Sequence, residues 1–226
     1  MKTKKLLLGL GVIALAGGVL AGCGSESAST DTEKKATASE QKEVSNKEPE
    51  KKEAAKDSED VKVGDKQKTD SGTIELLKKQ KINETVDISP IKLTVKGMML
   101  VKMSDMPADE KDYLEYYTET KLGDEFTYLQ IDFTAENTEE KNVGFNGIEK
   151  IVLNNGEQLD VANKNFMVGD FDTTFYGKVK QDGSIGVVVK GSPDEIKSAK
   201  IITGSAYDDD TFEDITGQQQ VEYKFQ

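Results

Sequence analysis

An all-β fold, built as a sandwich of antiparallel sheets, is predicted for residues 73–226 of this chain. Short runs in which apolar and polar residues alternate at period two mark strands with one buried and one wet face. Asx-Gly dipeptides stand between pairs of such runs, where tight hairpins need positive φ. Seven or more short strands joined by turns favour two packed antiparallel sheets.

The first element, residues 1–22, has the pattern of a secretory signal. Lys2, Lys4 and Lys5 precede an apolar run from Leu6 to Leu20, and small residues follow. The uncharged stretch from Leu6 to Gly22 is about 17 residues, at the lower limit for a membrane-spanning helix. Gly9, Gly11, Gly17 and Gly18 weaken it further as a helix. A retained span and cleavage without lipid are the alternatives. Gly9-Leu10-Gly11-Val12-Ile13-Ala14 matches a dinucleotide fingerprint by letter, but no strand precedes it and it lies within the signal. Leu20-Ala21-Gly22-Cys23 resembles the lipobox of bacterial lipoproteins. The resemblance implies cleavage before Cys23 and a diacylglyceryl group on its thiol. Two acyl chains (palmitate is the expected type) hold a protein stably where one does not. The implied location is the extracytoplasmic face of the cell membrane. Cys23 is the only cysteine, so no disulfide braces the fold.

Residues 23–72 form the second element, an expected disordered tether. Lys, Glu, Asp, Ser, Ala and Thr dominate, aromatics are absent, and such a composition cannot offset its ordering entropy by burial. A partly helical stalk over residues 48–56 is the alternative.

The domain follows. Ile91, Leu93 and Val95 alternate with Lys92, Thr94 and Lys96. Residues 104–120 break the pattern: Asp105, Pro107, Asp109 and Glu110 are helix-opening residues, and a short inserted helix is expected. Leu129, Ile131, Phe133 and Ala135 then alternate with Gln130, Asp132 and Thr134. One hairpin is expected to join residues 151–153 to 159–161 through Asn155-Gly156. A second is expected to join residues 176–180 to 185–189 through Asp182-Gly183. Residues 199–202 and the alternating Val221, Tyr223 and Phe225 close the strand set.

The lipobox, the charged tether, the run from Gly123 to Phe133, the Ala135-Glu136-Asn137-Thr138 strand end and the Asn155-Gly156-Glu157 hairpin together resemble a known group. It comprises uncharacterised Gram-positive bacterial lipoproteins with an immunoglobulin-like outer domain of the telokin-like or mycobacterial secreted antigen type. This resemblance implies an immunoglobulin-like fold and a surface location, with no catalytic residues to carry over. The chain departs from antibody-type domains in lacking paired cysteines and a core tryptophan.

Absent residue types narrow the chemistry. The chain has no histidine and no tryptophan, and all thirty basic residues are lysine. Imidazole bases, Ser-His-Asp triads and bidentate arginine recognition are therefore excluded. No nucleophile-elbow or phosphate-loop motif occurs. A catalytic set, an enzyme activity and a cofactor are not expected. The signal's +3 and the tether's −3 cancel, so the domain carries the whole net charge of −12, which disfavours nucleic acid and anionic polymers.

Two features remain as candidate sites. Asp208, Asp209, Asp210, Glu213 and Asp214, and separately Asp170 with Asp172, offer carboxylates to calcium, or form solvated turns. Tyr113, Tyr116 and Tyr117 offer an aromatic patch for a protein partner, or pack against the sheets. The expected function is a membrane-anchored, non-enzymatic lipoprotein that presents a binding or adhesion domain to a protein partner. The alternative is an envelope lipoprotein that binds a small molecule or calcium.

Overall fold

The computed structural model describes residues 61–167 and 169–226. The signal, the lipidation of Cys23 and most of the tether lie outside the described residues.

The described residues are mostly β, in antiparallel sheets with two α-helices. It opens with β1 (Lys66–Thr69), β2 (Gly72–Ile88) and β3 (Ile91–Ser104), followed by α1 (Ala108–Thr118) and β4 (Glu125–Asn137). Next come β5 (Val143–Phe145), β6 (Ile148–Leu153), β7 (Gln158–Asp160), α2 (Val161–Lys164) and β8 (Thr174–Phe175). The last strands are β9 (Lys180–Val189), β10 (Ser198–Thr203), β11 (Ala206–Asp208), β12 (Asp214–Thr216) and β13 (Gln220–Lys224).

The largest sheet has the order β1-β2-β3-β4-β9. Two four-stranded sheets have the orders β13-β10-β6-β7 and β12-β11-β5-β8. One core draws on all three: Leu93 and Val95 of β3, Leu129 and Ile131 of β4, Phe145 of β5, Ile151 of β6 and Ile201 of β10 are buried together. Burying each such side chain contributes roughly 1.5–3 kcal/mol.

A second, smaller core lies against the other face of the large sheet. Met99, Val101 and Met103 of β3 meet Tyr128, Leu114 of α1, and Phe166 and Met167 beyond α2. One strand serves both cores because its successive side chains point to opposite faces, and a bulge changes the phase of that alternation. Val95 pairs with Phe133 and Gly97 with Asp132, so Lys96 is an extra residue, a bulge. Before it Ile91, Leu93 and Val95 face the first core; after it Met98 and Leu100 do.

The expected helix and the Asn155-Gly156 hairpin are present. Ile151 pairs with Leu159 and Val152 with Gln158, and Gly156 has φ +87°. Val161, expected in the second arm, instead begins α2.

Three readings need correction. No hairpin forms at Asp182-Gly183: β9 runs through it, with Asp182 opposite Thr134 and Gly183 opposite Phe133. Glycine is needed there because a Cβ would lie 2.4 Å from the Phe133 ring. The polar face of β4 is not wet, since Gln130, Asp132 and Thr134 are buried on a sheet that has a core on each side. Order also begins before residue 73, where β1 pairs Lys66 with Glu75 and Thr69 with Gly72.

Candidate functional site

Helix α1 leaves β3 through Asp105, whose φ is +54°, and starts at Pro107, whose fixed φ suits a helix start. Asp109 and Glu110 lie in its first turn, where the helix dipole favours negative charge. The helix ends when Glu119 adopts the left-handed conformation and its N–H bonds back to the Glu115 carbonyl. The Glu115 carboxylate then accepts the Leu122 N–H at 2.8 Å and pairs with Lys121. These bonds hold the Glu115 carboxyl below its usual value, the Lys121 hydrogen bond first.

One side of α1 is anchored, with Leu114 and Thr118 buried. The tyrosines stand elsewhere: Tyr113 is 50% exposed, Tyr116 85% and Tyr117 39%. The Tyr113 and Tyr117 rings stack at 6.3 Å, as residues four apart on a helix do. The packed alternative therefore fails for this group.

Beneath Tyr117 lies a cleft of about 240 Å³ over β9, with walls from α2, the β5–β6 turn and Phe171. Phe171 meets Phe133 edge-on at 5.2 Å. Asn165 fastens one wall to β9: its Oδ1 accepts the Gly186 N–H at 2.8 Å and the Met167 N–H at 3.1 Å. Phe166 N–H donates to the Gly186 carbonyl. Gly186 must lack a side chain, because a Cβ would stand 2.7 Å from Met167 Cγ.

Ser184 of β9 also lines the cleft. Its hydroxyl donates to Asp132 Oδ1 at 2.6 Å, and Gln130 Nε2 donates to the same carboxylate at 3.1 Å. Burial pushes the Asp132 carboxyl above its ordinary value, against the opposing pull of these donors and of Lys96. Lys96 itself bonds Asp182 at 2.7 Å, and Thr134 donates to the same oxygen at 2.6 Å. Those bonds hold Asp182 below the usual carboxylate range, Lys96 contributing most. Among the described residues Asp132 forms no ion pair. A broader depression of about 560 Å³ lies between residues 119–127 and the end of β9. Its charged rim of Glu119, Lys121, Glu125 and Lys190 favours water over an apolar ligand.

The acidic candidates sit on the β5–β8–β11–β12 sheet. Asp208 Oδ1 accepts the backbone N–H groups of Asp210 and Thr211, which hold its carboxyl low. Asp209 accepts from the Thr174 hydroxyl at 3.1 Å, Asp172 from the Thr174 N–H, and Asp214 from Ser205. Thr174 thus links the two predicted groups, Asp170–Asp172 and Asp208–Asp214. Among the described residues no three carboxylates gather closely enough to hold a metal ion.

No known family model matches the chain, and no curated protein does. Two solved structures are similar to it in part. One is a functionally unknown protein from Listeria monocytogenes EGD-e: 11% identity, 68% of this chain and 87% of that one, TM-score 0.47. The other is a conserved hypothetical protein from Bacillus anthracis: 8% identity, 56% and 92%, TM-score 0.34. No described helix is long and apolar enough to cross a membrane.

Asp132 and Ser184 were not legible as a site. In sequence they are ordinary polar positions of alternating strands, and neither the burial of Asp132 nor the grouping of Ser184 with Tyr117, Asn165 and Met167 around one cleft is written in that alternation.

Proposed function

We propose that this protein is a lipid-anchored, extracytoplasmic binding protein, attached through Cys23, whose immunoglobulin-like β-sandwich presents α1 to a protein partner. It acts by contact rather than catalysis. The exposed tyrosines carry the reading: three aromatic rings on an 11-residue helix are otherwise left in water. Tyrosine brings large contact area at low entropy cost and is enriched at binding surfaces. The sandwich is supported by three antiparallel sheets that share one core, and the anchor by the lipobox-like run before Cys23. The domain's negative charge favours a basic partner and opposes nucleic acid.

The test places a photo-cross-linking residue at Tyr116 and, as a control, at exposed Lys150 on intact cells. A discrete adduct from position 116, absent from position 150, is expected. Adducts equal at both positions, or none at 116, would remove α1 from the binding surface. Replacing Cys23 by Ala should move the protein from the membrane fraction to the medium; continued membrane retention would refute the anchor.

A further inference from the structure

We propose that the cleft beneath Tyr117 receives a lysine side chain of the basic partner protein. This rests on the reading of α1 as the partner-facing surface, and it adds a specific anchor point to it.

Three observations converge on a cationic side chain with an apolar stem. The cleft, at about 240 Å³, falls below the range of about 300–1,000 Å³ typical of drug-sized pockets. Its walls include Phe133, Met167, Phe171 and Ile185, and among the described residues no charged one lines it. Such walls suit the methylene stem of lysine, which packs on apolar surface while its head seeks polar groups.

Ser184 supplies the polar end. Its proton is committed to Asp132 at 2.6 Å, so the hydroxyl oxygen offers only lone pairs to whatever enters. An incoming N–H donor matches that demand; another acceptor does not. Behind Ser184 stands Asp132, 4% exposed and without an ion-pair partner among the described residues. Lys96 is the neighbouring cation, and it is engaged by Asp182 at 2.7 Å. A buried carboxylate whose neighbouring cation is already paired with another acid is costly, and an ammonium brought to Ser184 offsets that cost through the shared hydrogen bond. The domain's net negative charge favours encounter with a basic partner.

The geometry also explains the place of Tyr117, which belongs both to the exposed tyrosine group and to the cleft wall. A partner seated on the stacked pair Tyr113 and Tyr117 brings its own side chains to the rim of the cleft that Tyr117 lines.

The experiment uses the isotope-labelled full chain, titrated with Nα-acetyl-lysine N-methylamide and, separately, with its norleucine counterpart. The two share a linear four-carbon stem, and norleucine lacks the ammonium. Amide shifts at Asn165, Ser184 and Ile185 are expected with the lysine probe, at an affinity at least about fivefold above that of norleucine. In Asp132→Asn, which keeps an acceptor for Ser184, the ratio should fall to about one. Equal affinities in the wild type would make the cleft an apolar small-molecule site and overturn the proposal. Absence of shifts at these residues, or a ratio unchanged in Asp132→Asn, would overturn it as well. A failed cross-link at position 116 with the lysine preference intact would instead strike the partner-surface reading and leave the ammonium site standing.

Discussion

At Gly156 and Gly183 the same kind of dipeptide is used for two different physical reasons. Gly156 has φ +87° with nothing near its absent side chain, so Gly156→Ala carries only left-handed strain, about 1 kcal/mol. Gly183 faces the Phe133 ring at 2.4 Å from where a Cβ would be, and Phe171 backs that ring. Gly183→Ala should therefore cost about 1–3 kcal/mol by overpacking; urea denaturation of both variants measures the two costs. The turn at Gly156 could be read from sequence because a turn needs only its own backbone. The need at Gly183 could not, since the ring it accommodates is fifty residues away in the chain. Asp132 gives a second prediction at this scale. Burial raises its folded value, so the fold holds that proton more tightly than the unfolded chain does. Its contribution is greatest below the ordinary carboxylate range and is lost as pH rises through the raised folded value. Asp132→Asn should accordingly gain melting temperature on the wild type as pH is raised from about 4 to 8; parallel melting profiles would contradict this. Asp182, held low by Lys96, titrates in the opposite sense in both proteins and cancels from the comparison.

At the scale of elements, α1 is fastened by one face and exposed on the other. Leu114→Ala should destabilise the protein by about 2–5 kcal/mol, whereas Tyr116→Ala should change stability by no more than about 0.5 kcal/mol. Thermal melts of the two variants separate the roles; a large loss from Tyr116→Ala would mean that its ring is structural. The helix was legible from Pro107 and the acids behind it. Its docked face was not, because that depends on Met99 and Val101 of β3 and on Phe166, which come from two separate parts of the chain. The β11–β12 loop is the converse case. Its acids were conspicuous in sequence, yet Asp208 is already bonded to its own turn. Millimolar calcium should leave the melting temperature unchanged; a rise of several degrees would show that these carboxylates regroup around the ion.

At the scale of the molecule, protection should follow layering. β3 and β4 are paired on both edges and contribute to a core on each face. Their amides should exchange with solvent most slowly, while those of α1 and the β11–β12 loop open at lower free energy. Hydrogen exchange followed by mass spectrometry tests the order, and fast exchange in β4 would break it. The long β2 and the short β1, β5, β8, β11 and β12 were not legible, whereas the other strands were, through period-two alternation that survives wherever one face is wet. It misled at β4, where both faces are covered and polarity no longer reports exposure.

The bulge at Lys96 gives β3 something like a reading frame. Upstream of it odd-numbered side chains enter the first core; downstream even-numbered ones do. Deleting Lys96 alone would shift the strand out of phase with one of its two cores, sending Met98 and Leu100 to the wrong side. Restoring one residue a few positions away would correct the phase beyond that point and leave only a short scrambled stretch. Length at this point of the chain is therefore information in its own right, independent of which residue supplies it.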